Sequence, residues 1–211
     1  VLIGMFTGIM VGKLKLQAMV ITLGLMLGVR GAAQVLCDGR DIYFNTLGER
    51  GELLSDFGTL KFFNLIPVQL LPIFISVLLI WILIKKTTLG VQIQAVGDSI
   101  KSSNLVGIHT NRVFVFVYGL SGFFAAIAGI MQASKVSVAA GSSLGQLAEL
   151  DAIAAVVIGG TPMSGGRARV LGTVLGAMIM QCITLTCVMN NIPDQYAQVV
   201  KAMMIVFAVY I

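Results

Sequence analysis

Charged residues are scarce in this chain of 211 residues, because Asp, Glu, Lys and Arg together make up 11% of it while hydrophobic residues make up 57%. Soluble domains carry about a quarter charged residues. A water-soluble monomer could not hide this much apolar surface. The composition predicts an all-α, polytopic transmembrane helical bundle. The apolar stretches are long and continuous rather than alternating, which disfavours a β-barrel.

Histidine and cysteine are too few for common metal and disulfide chemistry. His109 is the single histidine, which rules out a multi-histidine metal site. The cysteines Cys37, Cys182 and Cys187 show neither metal-ligand spacing nor a disulfide framework. They are more simply interpreted as small apolar packing residues. The net charge of +5 does not indicate nucleic-acid binding, because the basic residues lie at the ends of apolar spans. We expect no secretory signal peptide in this sequence.

Catalytic groups are also missing from the sequence. There is no nucleophile–base pair and no carboxylate dyad in a soluble fold. Residues 160–166 have the GxxxxG spacing of a phosphate-binding loop, but Gly165 is followed by Gly166 and Arg167 instead of Lys and Ser/Thr, and no strand precedes them. We therefore expect a chain that is not an enzyme, binds no cofactor or metal and does not itself hydrolyse nucleotide.

What is present is a series of apolar segments long enough to cross a bilayer as helices of about 20 residues. These predicted spans are residues 16–36, 65–84, 113–132, 170–189 and 195 onward. Residues 1–12 look like the tail of a span whose beginning is missing. We expect a single transmembrane domain over 1–211, in a fragment cut at both ends.

The predicted loops differ in character. Residues 37–64 are the most polar and form a loop outside the bilayer, with room for short helices. Residues 87–112 are basic and roughly amphipathic, which predicts a short helix lying against a surface. Residues 133–146 are small and polar, which is typical of a loop or a re-entrant segment.

Glycine spacing indicates close helix packing at two places. Gly4, Gly8 and Gly12 recur every four residues and leave one helix face bare for a neighbour. Gly24 and Gly28 form a second small-xxx-small pair. Helix packing is a simpler interpretation of both sets than a substrate contact.

Residues 149–176 are the stretch around which the chain is organised. The carboxylates of Glu149 and Asp151 precede an apolar run, 152–158, that is only seven residues long before glycine and proline interrupt it. Short, broken segments of this kind are typical of transporters, where irregular backbone lines a cavity or meets a partner. The two carboxylates suit either a helix N-terminus or a substrate pathway. Arg167 and Arg169 suit either anchoring at the membrane face or acidic groups on a partner.

Basic residues predict the orientation, since short cytoplasmic loops hold an excess of them. Alternating the spans puts 13–15, 85–112 and 165–169 on one side, with eight basic residues and one acid, Asp98. The opposite side holds four basic residues and six acids. The first set is therefore predicted to be cytoplasmic, and 149–160 must then count as a short crossing.

Three motifs carry a family resemblance. The run ELDAIAAVVIGGTPMSGGRARVLGTVLGA at 149–177 resembles the signature of permease subunits of bacterial ABC importers for simple sugars, the ribose/xylose/galactofuranose-type group. Residues 95–108 resemble that family's A-x-G…A-A-x-x-x-G-I segment, with serines where alanines are common. The TLG…RG pattern at 22–31 resembles a third element. Branched-chain amino-acid permeases are relatives, but 149–177 is more similar to the sugar group.

The resemblance implies a multi-pass protein of the bacterial inner membrane, surrounded by membrane lipid. It implies as partners a second permease copy or close paralogue, two cytoplasmic ATPase subunits that carry ATP and Mg, and a periplasmic sugar-binding protein, with no nucleic acid. Candidate residues for coupling to the ATPase are Ser102, Ser103, Gly107, Ile108, Gly160, Gly165, Gly166, Arg167 and Arg169. Candidates for the pathway or its structure are Thr22, Gly24, Glu149 and Asp151.

Three alternatives stay open. A branched-chain amino-acid-type ABC permease would share the architecture. A secondary transporter or channel usually carries membrane-buried ionisable residues, and here only Arg30, Glu149, Asp151 and Lys201 lie in or beside spans, all of them able to sit near ends. A membrane-bound enzyme is disfavoured by the lack of a catalytic constellation.

Overall fold

The computed structural model describes residues 1–44, 48, 51, 54–55, 58, 61–62, 66–141 and 143–210. Part of the predicted polar loop, including Glu49, Arg50, Glu52 and Asp56, lies outside these described residues. The first residue of the predicted span 65–84 also lies outside them.

The described chain is predominantly helical, as predicted. The helices are α1 (Leu2–Leu14), α2 (Ala18–Leu36), α3 (Leu70–Lys86), α4 (Thr88–Asp98), α5 (Ile100–Leu105), α6 (Thr110–Val136), α7 (Ala148–Ile158), α8 (Val170–Met189) and α9 (Asp194–Tyr210). Four two-residue strands form two antiparallel pairs: β1 (Ile42–Tyr43) with β4 (Val138–Ala139), and β2 (Lys61–Phe62) with β3 (Ile66–Pro67).

Three of the described helices, α2, α6 and α8, are long and apolar enough to cross a membrane. The pair α3 and α4 supplies a fourth candidate, bent by 77° at the break between its helices. The chain is therefore a multi-pass helical membrane protein. The short helix α7 matches the predicted broken segment.

The bend between α3 and α4 has a local cause. Thr87 caps α4, because its hydroxyl accepts a hydrogen bond from the Gly90 N–H at 3.3 Å. A Cβ on Gly90 would overlap the Ile84 carbonyl oxygen, so only glycine lets the chain fold back this sharply. The predicted amphipathic segment 87–112 thus becomes two short helices, α4 and α5, and the start of α6.

Two helix boundaries differ from the prediction. The span predicted at 65–84 begins only at Leu70, because Ile66 and Pro67 are extended and pair with β2. Proline disfavours helical backbone at the residue before it, whereas Pro72 is tolerated in the first helical turn. At the other boundary α6 continues to Val136, beyond the predicted end at 132, and stops where Ser137 takes a left-handed conformation with φ 55°.

The described chain divides into two compact units. Unit 1 comprises Val1–Leu79 and Ser103–Gly145, and unit 2 comprises Ile80–Ser102 and Gln146–Ile211. The prediction of one transmembrane domain stays a prediction.

The core of unit 1 is the contact between α1 and α6. A Cβ on Gly4 would overlap the Tyr118 carbonyl oxygen, and one on Gly8 would lie 2.6 Å from the Cα of Val115. At Gly12 the same test gives 3.3 Å to the Cα of Asn111. The predicted glycine face is confirmed. For Gly24 and Gly28 no described atom lies within 4 Å of such a Cβ, so the packing predicted for that pair stays a prediction.

We predict that Gly8→Leu destabilises the full-length protein, because its side chain would have to displace the backbone of α6. Overpacking of this kind costs at least about 1–3 kcal/mol. Thermal unfolding of the detergent-purified protein measures the loss. Gly129→Leu is the matched control, since a Cβ on Gly129 of α6 meets no described atom within 4 Å. Equal destabilisation by both variants would contradict the assigned packing.

Candidate functional site

The helix α7 is short because its end is closed by a glycine cap. The Gly160 N–H donates to the Val157 carbonyl at 2.9 Å, and the Thr161 N–H donates to the Val156 carbonyl at 3.2 Å. This pair of hydrogen bonds is a Schellman motif, which requires a left-handed residue after the helix. Gly160 supplies it with φ 74°. The carbonyls of Val156 and Val157 near the break are thereby satisfied inside the chain.

Glycines also bring α7 against α8 within unit 2. A Cβ on Gly172 would overlap the Gly159 carbonyl oxygen, and one on Gly176 would overlap the Ala155 carbonyl oxygen. Ala154 and Ala155 are buried at this contact side of α7. The two helices therefore touch through their backbones, and little side-chain volume separates them.

Residues 159–169, named here the glycine hairpin, connect α7 to α8. Gly165 and Gly166 have backbone φ angles of 90° and 83°, which residues with a side chain rarely adopt. The Gly165 N–H donates to the Pro162 carbonyl at 3.2 Å, and the Arg169 N–H donates to the Thr161 hydroxyl at 3.2 Å. These two hydrogen bonds connect the first half of the hairpin to its second half and give it a defined turn conformation.

The glycine hairpin lies directly on the end of α4, within unit 2. A Cβ on Gly165 would overlap the Gly97 carbonyl oxygen, and one on Gly166 would lie 2.8 Å from Oδ1 of Asp98. Gly97 and Asp98 are not among the predicted coupling residues. The available signals were the A-x-G motif that contains Gly97 and the position of Asp98 as the single acid in the predicted basic loops.

The second predicted coupling segment, 102–108, comprises the last four residues of α5 and the turn that caps it. Ser102 hydrogen-bonds to the Ser99 hydroxyl through both its N–H and its side chain. Gly107, with φ 86°, closes another Schellman motif, in which the Ile108 N–H donates to the Ser103 carbonyl at 3.0 Å.

The end of this segment carries an exposed apolar tip. Leu105 is 89% exposed and Val106 is 81% exposed, although the loop is predicted to face water. Ser103 in the same helix is buried, and the Thr110 hydroxyl donates to the Asn104 side chain at 3.0 Å. A capped turn that presents two large apolar side chains is suited to binding a partner surface.

An ion pair connects α7 to α9 within unit 2. Nζ of Lys201 lies 2.8 Å from Oδ2 of Asp151, and the side chains are 16% and 44% exposed respectively. Asp151 and Glu149 lie in the first turn of α7, where the helix dipole favours negative charge. The expectation that Lys201 sits near a span end is wrong, because it lies well inside α9. The partner of Asp151 was not predictable from spacing along the chain.

The remaining pathway candidates lie in unit 1. Thr22 lines a cavity of about 650 Å³ together with Thr7, Arg30, Tyr118 and Ser121. The Thr22 hydroxyl also donates to the Ala18 carbonyl at 3.0 Å. Gly24 is not among the residues that line this cavity. Most of its lining is apolar and includes Leu25, Met26 and Val29; the hydroxyl groups and one guanidinium lie among these side chains, around a space of the size that small ligands occupy.

We predict that Asp151→Asn and Lys201→Gln each destabilise the full-length protein by about 1 kcal/mol, because each removes the 2.8 Å ion pair between α7 and α9 and leaves one charge without its partner. The double variant should be less destabilised than either single variant, since no lone charge remains. Thermal unfolding of the four proteins gives the coupling free energy. Strictly additive losses would show that the two side chains do not interact.

Comparison with known proteins places the chain in a family. The family model described as "Branched-chain amino acid transport system / permease component" matches residues 1–209. The galactofuranose transporter permease protein YtfT of Escherichia coli K12 is 38% identical over 97% of this chain and 58% of its own length. The ribose import permease protein RbsC of Haemophilus influenzae is 36% identical over 99% of this chain and 64% of its own length. RbsC of Bacillus subtilis is 35% identical, over 96% and 61%.

The chain thus spans about three fifths of the length of these curated relatives. No solved structure gives a significant match. The resemblance to sugar-type ABC permeases is confirmed by these relatives. The chain belongs to the family of branched-chain amino acid transport system permease components.

Proposed function

We propose that this chain is part of the permease subunit of an ATP-binding cassette importer that moves a simple sugar across the bacterial inner membrane, in which this multi-pass family member resides. The observation that carries the proposal is that relatives named for galactofuranose and ribose import align with 96% or more of the chain. The alternative of an amino-acid substrate is less well supported, because these relatives are named for sugars.

The chain is a transport component, and we propose that ATP is hydrolysed on separate ATPase subunits. The proposed assembly contains a second permease copy or paralogue, two cytoplasmic ATPase subunits and a periplasmic sugar-binding protein. The sugar would pass near the cavity that Thr22, Arg30 and Tyr118 line in unit 1, because hydroxyl and guanidinium groups can replace the water bound to sugar hydroxyls.

Two surfaces are proposed to receive the motion of the ATPases. The first is the apolar tip, Leu105 and Val106, whose exposure fits insertion into a partner's groove. The second is the glycine hairpin with its exposed Arg167 and Arg169. Within unit 2 the hairpin rests on Gly97 and continues into α7 and α8, which touch through Gly159 and Gly172. A displacement of the hairpin would therefore move two membrane-inserted helices together.

We predict that the full-length permease, reconstituted with its ATPase and sugar-binding protein, takes up ribose or galactofuranose only when ATP is supplied. Gly165→Ala should reduce uptake per ATP hydrolysed, by about tenfold, because its Cβ overlaps the Gly97 carbonyl oxygen and separates the hairpin from α4. Radiolabelled sugar uptake and phosphate release, measured on the same vesicles, give this ratio.

The control for backbone strain is Gly145→Ala. Gly145 also has a positive φ, 69°, but a Cβ there meets no described atom within 4 Å. An unchanged ratio in Gly165→Ala would contradict the proposed coupling role of the hairpin. Uptake that ignores ATP depletion and follows a proton gradient would contradict the proposed function itself.

We predict that the double variant Leu105→Ser, Val106→Ser loses co-purification with the ATPase subunit, because removal of two exposed apolar side chains takes away about 3–6 kcal/mol of buried apolar contact. The assay is ATPase retained per permease after affinity purification from membranes. Lys101→Gln, on the same short helix α5, alters charge and leaves the apolar tip intact. Equal loss in Lys101→Gln would indicate docking by charge and would contradict a role for the tip.

A further inference from the structure

We propose that unit 1 carries a binding site for one anionic phospholipid, in a groove between α1 and α6. The groove has a volume of about 650 Å³, and its walls are formed mainly by apolar side chains such as Met5, Ile9, Phe116 and Phe123. Lys13 and Arg112 line the same groove. An apolar groove with two cationic side chains is complementary to a lipid that has a negative headgroup and acyl chains.

The two cations lie together at one end of the groove. Gly12 meets Asn111 across the helix contact, where a Cβ would be 3.3 Å from the Asn111 Cα. The two helices are antiparallel, so Lys13 and Arg112, the next residue of each helix, differ in level by about 3 Å and line the same end of the groove. Within the described ranges neither is paired with a carboxylate, since the ion pair found there joins Lys201 to Asp151. Both side chains are exposed and available to a headgroup phosphate.

The start of α6 adds a third positive feature at this end. Its N-cap residue, His109, makes no side-chain capping hydrogen bond, and its first turn contains no acidic residue. The positive end of the helix dipole is therefore not compensated by a described acidic side chain of that turn, and an anion near Arg112 would compensate it.

The length of the groove fits one leaflet. On α6 the lining runs from Arg112 to Phe123, a rise of about 16 Å at 1.5 Å per residue. Half of the hydrocarbon core of a bilayer is about 15 Å. The predicted orientation places Lys13 and Arg112 on the cytoplasmic side, where basic pockets between membrane helices bind anionic headgroups.

The test titrates the delipidated, full-length transporter complex in detergent with phosphatidylglycerol or with phosphatidylcholine of the same acyl chains, and counts bound lipid by native mass spectrometry. Phosphatidylglycerol should bind more tightly. The double variant Lys13→Gln, Arg112→Gln should lower its apparent affinity about 25-fold, roughly fivefold per cation, and leave phosphatidylcholine unaffected. Lys15→Gln is the matched control, because Lys15 follows α1 but does not line the groove.

Equal binding of phosphatidylglycerol to the double variant and the unmodified complex would overturn the proposal. An equal loss in Lys15→Gln would also overturn it, because diffuse surface charge would then explain the binding. Ile9→Trp fills the groove without a change of charge and should also weaken the binding of phosphatidylglycerol. This variant keeps the test valid if the charge variant fails to assemble. If the double charge variant loses phosphatidylglycerol binding but Ile9→Trp binds this lipid normally, the groove does not hold the acyl chains, and that part of the proposal is contradicted.

Two further measurements distinguish other occupants. Inorganic phosphate at the same concentration as the lipid should not displace phosphatidylglycerol, because it gains nothing from the apolar groove, and displacement would reassign the site to a free anion. A benzophenone amino acid incorporated at Phe116 should yield a lipid adduct in native membranes. A peptide adduct from another segment or a second copy would overturn the proposal.

Discussion

Backbone contact at glycine is the constraint on which the packing of both units depends. Inside a bilayer there is little hydrophobic drive to bring helices together, so close van der Waals contact must do it. In unit 1, Gly4 and Gly8 place α1 on the backbone of α6. In unit 2, Gly159 and Gly172 do the same for α7 and α8. Because each contact is made by main-chain atoms, the spacing between the paired helices is closely fixed.

Glycine performs a second task where the helices stop. Non-helical backbone near the membrane is tolerated only when its polar groups are satisfied. The turns after α5 and α7 meet this requirement with Schellman hydrogen bonds, for which Gly107 and Gly160 provide the left-handed conformation. The helix break and the tight turn that follows it therefore have one cause. The same short segment ends α7 and forms the ordered turn of the glycine hairpin.

Much of this architecture follows from the sequence, and the exceptions have physical reasons. The predicted spans 16–36 and 170–189 agree closely with α2 and α8, because long apolar runs bounded by polar residues have few alternatives. The start of α3 was misplaced because Ile66 and Pro67 join a strand pair, which hydropathy does not report. The contact of Gly165 with Gly97 was missed because glycine has no side chain to give a pairing signal. Close helix packing at Gly24 stays a prediction, because no described atom lies within 4 Å of a Cβ there.

The ion pair of Asp151 and Lys201 bears on which energy source the proposed transporter uses. A transporter driven by an ion gradient needs a membrane-embedded carboxylate whose charge is balanced in turn by the transported ion. In this chain the ammonium group of Lys201 lies 2.8 Å from the Asp151 carboxylate, so a side chain of the protein itself supplies the balancing charge. Such a pair links α7 to α9 within unit 2. It thereby fits the proposed importer, in which separate ATPase subunits would move these helices through the glycine hairpin.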